Sequence, residues 1–272
     1  STVERRAGAW KILPDCEQFR LFICLNPDFG QFMQKIYIAV LWHHHQPPYL
    51  AGEDEVARLP WVRLHGIKDY IGIAMLAKRF PEFHHNVNLT PCLVEQIDAL
   101  VREEAIDRDL ELTRMPAAEL GEQEAEEILD RFFAANYDTM IGCHDRYREM
   151  YSRREHKVQK GESPLGAFDT DDLRDLQVWG TLTWFHPLVF AENGTLREML
   201  HKGRDFSEDD KEVMLQEQLK VLERIMPLYR ELRDEGTLEL TTSPTYHPIL
   251  PLLIDQKSAR AALPDIPLPA AD

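Results

Sequence analysis

No apolar run in this 272-residue chain is long enough to cross a bilayer. Its four cysteines, Cys16, Cys24, Cys92 and Cys143, form no Cys-x-x-Cys pair. A disulfide framework and a cysteine-type zinc site are therefore not expected, and a reducing, cytoplasmic compartment is the simpler reading. There is no glycine-rich phosphate loop and no His-Glu-x-x-His pair. Positive charge is scarce: 31 Lys and Arg stand against 47 Asp and Glu, a net charge of -16. Nucleic-acid binding needs a basic face, so no such partner is expected. A soluble protein with a neutral or cationic ligand is favoured, and no membrane partner is expected. The hydrophobic share of 44% suits a globular core, and the charged share of 29% argues against a membrane protein.

What is present begins with an apolar run, Ile36-Tyr37-Ile38-Ala39-Val40-Leu41. It is rich in β-branched and aromatic residues and has no Gly or Pro, so it reads as a buried strand. Trp42-His43-His44-His45-Gln46-Pro47-Pro48-Tyr49 follows at its C-terminal end, where α/β folds build ligand sites. Alternation along a strand sends His43 and His45 one way and His44 the other. Two rings on one side can clamp a hydroxyl-rich substrate, hold a metal, or hydrogen-bond within the core.

Residues 1–32 show no clear period and read as an N-terminal extension, with Met33 as a natural start. The other reading is a tail packed on the domain. Arg20–Leu25 is a short apolar stretch cut by Asn26 and Pro27, with no small-residue cleavage site after it, so a signal peptide is not expected. Helical spacing runs from Arg63 to Phe80 and ends at Pro81. Phe83–Leu89 alternates as a second strand, closed by Thr90-Pro91, and Leu93–Val101 returns to helical spacing. Such a β-α-β-α order predicts a parallel sheet with right-handed crossovers. The segment 102–152 reads as charged helix with Ile128, Leu129, Phe132, Phe133, Tyr137 and Met140 as its stripe. Its glutamates, Glu122, Glu124, Glu126 and Glu127, read as a solvated face. Arg153–Gly166 reads as a surface loop. Trp61, Trp179 and Trp184 read as core rather than sugar platform, and His84 and His85 as structural or surface residues. Ser207, with Asp210 three residues on, opens a long helix to Glu235 that Pro227 kinks and Gly236 caps.

Thr237–Thr242 then alternates as a third strand. Glu239 lies within it, where a carboxylate is costly unless hydrogen-bonded or functional. Tyr246 and His247 follow at its C-terminal end. If the strands are parallel, this end lies beside His43 and His45. Aromatic faces to pack on a ring, with imidazole, amide and carboxylate groups for hydroxyls, suit a sugar.

These segments resemble a known family. The first strand with His45-Gln46-Pro47 looks like the first signature region of glycoside hydrolase family 57, the α-amylase, amylopullulanase and 4-α-glucanotransferase group. Leu59–Tyr70 and Asn86–Leu93 are similar to the segments that come after it in the amylase and amylopullulanase branch. Gly236–Pro244 through His247-Pro248-Ile249-Leu250-Pro251 resembles the second signature region. Four stretches in order are far more specific than a lone His-Gln-Pro. The resemblance implies the N-terminal part of a distorted seven-stranded (β/α) barrel, parallel strands with a long helical insertion, acting on α-glucans such as starch, glycogen and maltooligosaccharides with retention. Residues 33–254 would be this partial barrel and 255–272 a truncated tail.

The resemblance also carries over His43, His45 and Gln46 as substrate-binding residues, with Glu239, Tyr246 and His247, and no cofactor or metal. It places the nucleophile and acid/base carboxyls beyond Asp272, so no catalytic residue is identified here, and the missing part of the barrel becomes an expected partner. Retaining chemistry needs two carboxyls about 5 Å apart. Two other readings stand beside it. One is a metal-dependent hydrolase with His43, His45 and His247 as a three-nitrogen zinc set. The other is a non-catalytic α-glucan-binding fragment.

Overall fold

The computed structural model describes residues 10–11 and 22–24 by their backbone, and residues 37–49 and 56–270 with their side chains. Its strands are β1 (Trp10–Lys11), β2 (Phe22–Cys24), β3 (Ile38–Ala39), β4 (Leu41–His44), β5 (Val56–Ala57), β6 (His85–Leu89), β7 (Ile106–Asp107) and β8 (Leu238–Thr241). After β5 come the helices α1 (Trp61–His65) and α2 (Ile71–Arg79), joined by a π-helical turn at Gly66–Tyr70. Next come α3 (Pro91–Val101), α4 (Arg108–Arg114), α5 (Glu122–Arg131), α6 (Asp145–Gln159), α7 (Thr170–Leu182), α8 (Pro187–Glu192), α9 (Gly194–Lys202) and α10 (Glu208–Asp234). Helix α11 (Leu250–Ile254) comes after β8.

β4, β6 and β8 form one parallel sheet in that order. β6 and β8 lie where the sequence pattern places the second and third strands, Phe83–Leu89 and Thr237–Thr242, whereas β4 begins only at the last residue of the apolar run Ile36–Leu41. The helices between β4 and β6 and the long excursion between β6 and β8 act as their crossovers. The fold is thus helix-rich α/β with parallel strands. β1, β2 and β3 pair antiparallel and β5 pairs with β7, as two separate small sheets.

The apolar run before the histidines is not one buried strand. Ile36 lies outside the described residues. Ile38–Ala39 pairs antiparallel with Phe22–Cys24, whereas Leu41–His44 pairs in parallel with β6, so the chain changes partners at Val40. Tyr37 is 68% exposed, Ile38 59% and Leu41 43%. For Leu41 the reason is position: among the described residues β4 lies at an edge of its sheet, and no layer covers the face bearing Leu41. Burial predicted from apolar content needs a second layer to bury against.

The core instead sits among the helices. α10 contacts α2, α3, α7 and β8. Its sequence explains why it forms. Ser207 and Asp210 close a capping box at its start. Met214, Val221, Leu222, Ile225 and Leu232 then recur at helical spacing, all buried. At its end Gly236 takes the left-handed conformation, φ 76°, and Thr237 N–H donates to Leu232 O at 3.0 Å. That turn delivers the chain into β8. A Cβ added to Gly66 would lie 2.6 Å from Leu222, so the π-helical turn presses directly on α10. One buried ion pair runs through this core: Arg63, 1% exposed, binds both oxygens of Asp107 at 2.6 and 2.8 Å.

The segment 102–152 is not one helical run. It breaks into α4, a 3-10 turn at Ala117–Glu119, α5, a π-helical turn at Tyr137–Ile141 and α6. Pro116, Gly121 and Gly142 fall at the breaks. The Asp107 side chain caps α4, and the Asn136 side chain caps the π-helical turn. The loop expected from Arg153 is helical as far as Gln159. Its charge is used across helices: Arg146 and Arg153 both grip Asp172 of α7. Of the four glutamates, Glu127 forms a two-bond pair with Arg108 rather than facing solvent alone.

Candidate functional site

Register assigns the side chains to faces. His43 pairs with Asn88, and Asn88 pairs with Thr241. Leu41, Asn86 and Glu239 form the row before it. Paired residues of a parallel sheet share a face, so these six side chains stand on one side. On the other stand Trp42, His44, Val87 and Leu238, with the helices behind them. There the His44 ring is 4.8 Å from Tyr70 and 5.9 Å from Tyr229, and its Nε2 lies 3.1 Å from the Tyr229 hydroxyl.

On the open side three imidazoles gather at the C-terminal ends of the strands. The His43 and His45 rings stack 5.8 Å apart. His247 lies 4.5 Å from the first and 5.2 Å from the second. The loop after β8 brings it there. Thr242 Oγ1 donates to Leu89 O at 2.9 Å, and Cys92 N–H donates to Thr245 O at 3.3 Å, folding the loop back over β6. His247 itself has φ 52°, a left-handed value uncommon outside glycine, though histidine adopts it more readily than most residues.

Two of the rings are anchored from beneath. His43 Nδ1 lies 2.9 Å from Asn88 Oδ1, which also accepts from Ser243 Oγ at 3.0 Å. Asn88 Nδ2 donates to Thr241 Oγ1 at 3.3 Å. His45 Nδ1 lies 3.2 Å from Thr90 Oγ1. Burial lowers the His43 pKa, helped by the nearby His247 and opposed by the Asn88 hydrogen bond. Burial also lowers that of His45, with His247 and His43 adding to the effect. Both shifts favour the neutral ring at pH 7. His44 is pushed furthest, down to about 4, by burial and then by His43, against the pull of Asp69.

Of the residues singled out in the sequence, His43, His45 and His247 are in contact. Glu239 shares their face but is exposed and one row back; sheet spacing puts its Cα about 12 Å from that of His43. Gln46 is spent internally: its Nε2 donates to the Tyr70 hydroxyl at 3.2 Å and its Oε1 accepts from the Tyr49 hydroxyl at 2.6 Å. Tyr246 is 68% exposed and makes no ring contact among the described residues. Among the described residues the arrangement is an open face, not an enclosed pocket. Sequence reasoning missed Asn88, Thr90 and Ser243. A signal existed: asparagine is depleted in strands, yet Asn86 and Asn88 alternate within β6.

Chemically, the face offers imidazole nitrogens, hydroxyls and one carboxylate to a polar ligand. Although three rings meet, no three His, Cys, Asp or Glu side chains among the described residues are arranged to hold a metal ion. The family model described as Glycosyl hydrolase family 57 matches residues 39–264. No curated protein and no solved structure matches the chain.

Proposed function

Because the chain belongs to glycosyl hydrolase family 57, we propose that its open sheet face is the sugar-holding part of an α-glucan site. The family is one of glycoside hydrolases and transglycosidases, so the substrate is a carbohydrate. The observation that carries the finer reading is the meeting of His43, His45 and His247 above Asn88. Neutral imidazoles and amides bind uncharged hydroxyls, and starch, glycogen and maltooligosaccharides present little else. Gln46 supports the rim through Tyr49 and Tyr70, and Glu239 addresses a more distant part of a long ligand.

Turnover needs more than this face. Retention requires two carboxyls about 5–5.5 Å apart. Among the described strand residues of this face, Glu239 is the one carboxylate. We therefore assign these residues to binding and none to bond cleavage. Further strands of the barrel would be the partner. β4 and β8 each have an unpaired edge among the described residues, and Ile249, Leu250, Leu253 and Ile254, which follow β8 in the chain, are exposed.

The test pairs calorimetry with a reducing-sugar assay on the purified chain, using maltotriose, starch and pullulan. Maltotriose binding without release of reducing ends is expected. No binding to any of the three overturns the reading. Turnover abolished by Glu239→Gln would overturn the assignment of this face to binding alone.

A further inference from the structure

Resting on that sugar-binding reading, we infer that Asn88 is a positioning residue. It holds the His43 ring in the form protonated at Nδ1, as Thr90 holds His45, so that both rings turn bare Nε2 lone pairs to a neutral sugar. The register prepares this. Asn88 stands between His43 and Thr241 in one row of one face. Its Nδ2 is committed to Thr241 Oγ1 at 3.3 Å, so its Oδ1 is the atom that meets His43 Nδ1 at 2.9 Å. An amide oxygen facing a bare ring nitrogen would set lone pair against lone pair; a proton on Nδ1 makes the contact a hydrogen bond. The neutral ring has one proton, so Nε2 is left as an acceptor.

Thr90 repeats the device two residues along each strand. Its hydroxyl donates to His44 O at 3.2 Å, which leaves its lone pairs to face His45 Nδ1 at 3.2 Å. Asn88 and Thr90 are both buried, so they have the fixed surroundings needed to orient a ring. The consequence is selective. A ring nitrogen that only accepts takes a hydrogen bond from a hydroxyl and repels the oxygens of a carboxylate or phosphate. The face would therefore take neutral sugars and refuse anionic ones.

The full chain labelled with 15N-histidine gives a direct test by NMR. In the unaltered protein, Nε2 of His43 and His45 should show the shift of an unprotonated ring nitrogen and Nδ1 that of a protonated one. His43 protonated at Nε2 would overturn the inference, and this measurement needs no variant. Asn88→Leu should move His43 to the Nε2-protonated form, leave His45 unchanged, and weaken maltotriose binding about tenfold. Asn88→Asp keeps an acceptor oxygen and should restore the Nδ1-protonated form; failure to restore it counts against the role. Maltotriose should shift both Nε2 signals, and glucose 6-phosphate at the same concentration should not. Equal response to the two sugars would overturn the selectivity. The expected nitrogen shifts with no response to maltotriose would overturn the sugar-binding reading and leave the ring positioning standing. Maltotriose binding with the opposite protonation pattern would do the reverse.

Discussion

His43 and His44 are adjacent in sequence and sit in different media. The His44 ring is 3% exposed, wedged between Tyr70 and Tyr229. The Tyr229 hydroxyl donates to Tyr70 O at 2.9 Å, so it accepts from His44 and that ring is protonated at Nε2. His43, one residue earlier, faces solvent and other imidazoles. The pleat alone separates them. One side of the strand is spent on the fold, where the buried His44 Nε2 finds a fixed partner in Tyr229. The other side keeps polar atoms pointing outward with support only from below, the arrangement a ligand can complete.

The contrast predicts unequal penalties, and the largest lies deepest on the packed side. Asp107→Ala would strand the Arg63 guanidinium in the core and also remove the Asp107 cap on Leu110 N–H. Leaving one partner of a buried pair costs about 3–5 kcal/mol. Urea unfolding should show it as a drop in midpoint with little change in slope. A loss under about 1 kcal/mol would mean that water reaches Arg63, and the packed side would be less dry than described.

Next comes acid. The folded His44 pKa of about 4 lies below its ordinary 6.5. Between those values the unfolded chain takes a proton that the folded chain refuses. Stability is therefore full above pH 6.5 and falls as pH drops toward 4, by about 3 kcal/mol from this one group. His44→Gln should flatten that part of the pH profile, because glutamine has no proton to take up. Tyr229→Phe ranks after it, at about 1–3 kcal/mol. It unpairs two buried groups, Tyr70 O and His44 Nε2, while removing little volume. Calorimetric unfolding of both variants at pH 5 and pH 7.5 checks the pair of predictions. An unchanged pH slope in His44→Gln would place the titrating group elsewhere.

The same contrast marks what a sequence can say. Alternation in β4, β6 and β8 was legible because period 2 is a local property of strands, and so was the capping box of α10. Exposure was not legible. Tyr37, Ile38 and Leu41 look like core by composition, and among the described residues no layer covers them. The breaks in 102–152 were marked by Pro116, Gly121 and Gly142 but outvoted by the charged helical composition around them. The three histidines were legible as chemistry at a strand end. Asn88, Thr90 and Ser243 were not, because their part depends on a register between strands 45 and 153 residues apart.

The smallest stability effects belong to the open face, and there the contrast can be sharpened most. His45→Ala removes a half-buried ring whose anchor, Thr90, keeps its bond to His44 O. Glu239→Gln changes an exposed side chain. Both should leave stability within about 0.5 kcal/mol of the unaltered chain. Their effects on binding should differ with ligand length. His45→Ala should weaken maltose and maltopentaose alike, by about tenfold, because the lost acceptor serves a sugar bound over the ring cluster. Glu239 stands about 12 Å from His43 across the sheet, farther than one sugar ring reaches. Glu239→Gln should therefore spare maltose and weaken only the longer oligomer. Equal losses for both lengths would bring Glu239 into the histidine cluster, and no loss for either would return it to the solvent as an ordinary surface carboxylate.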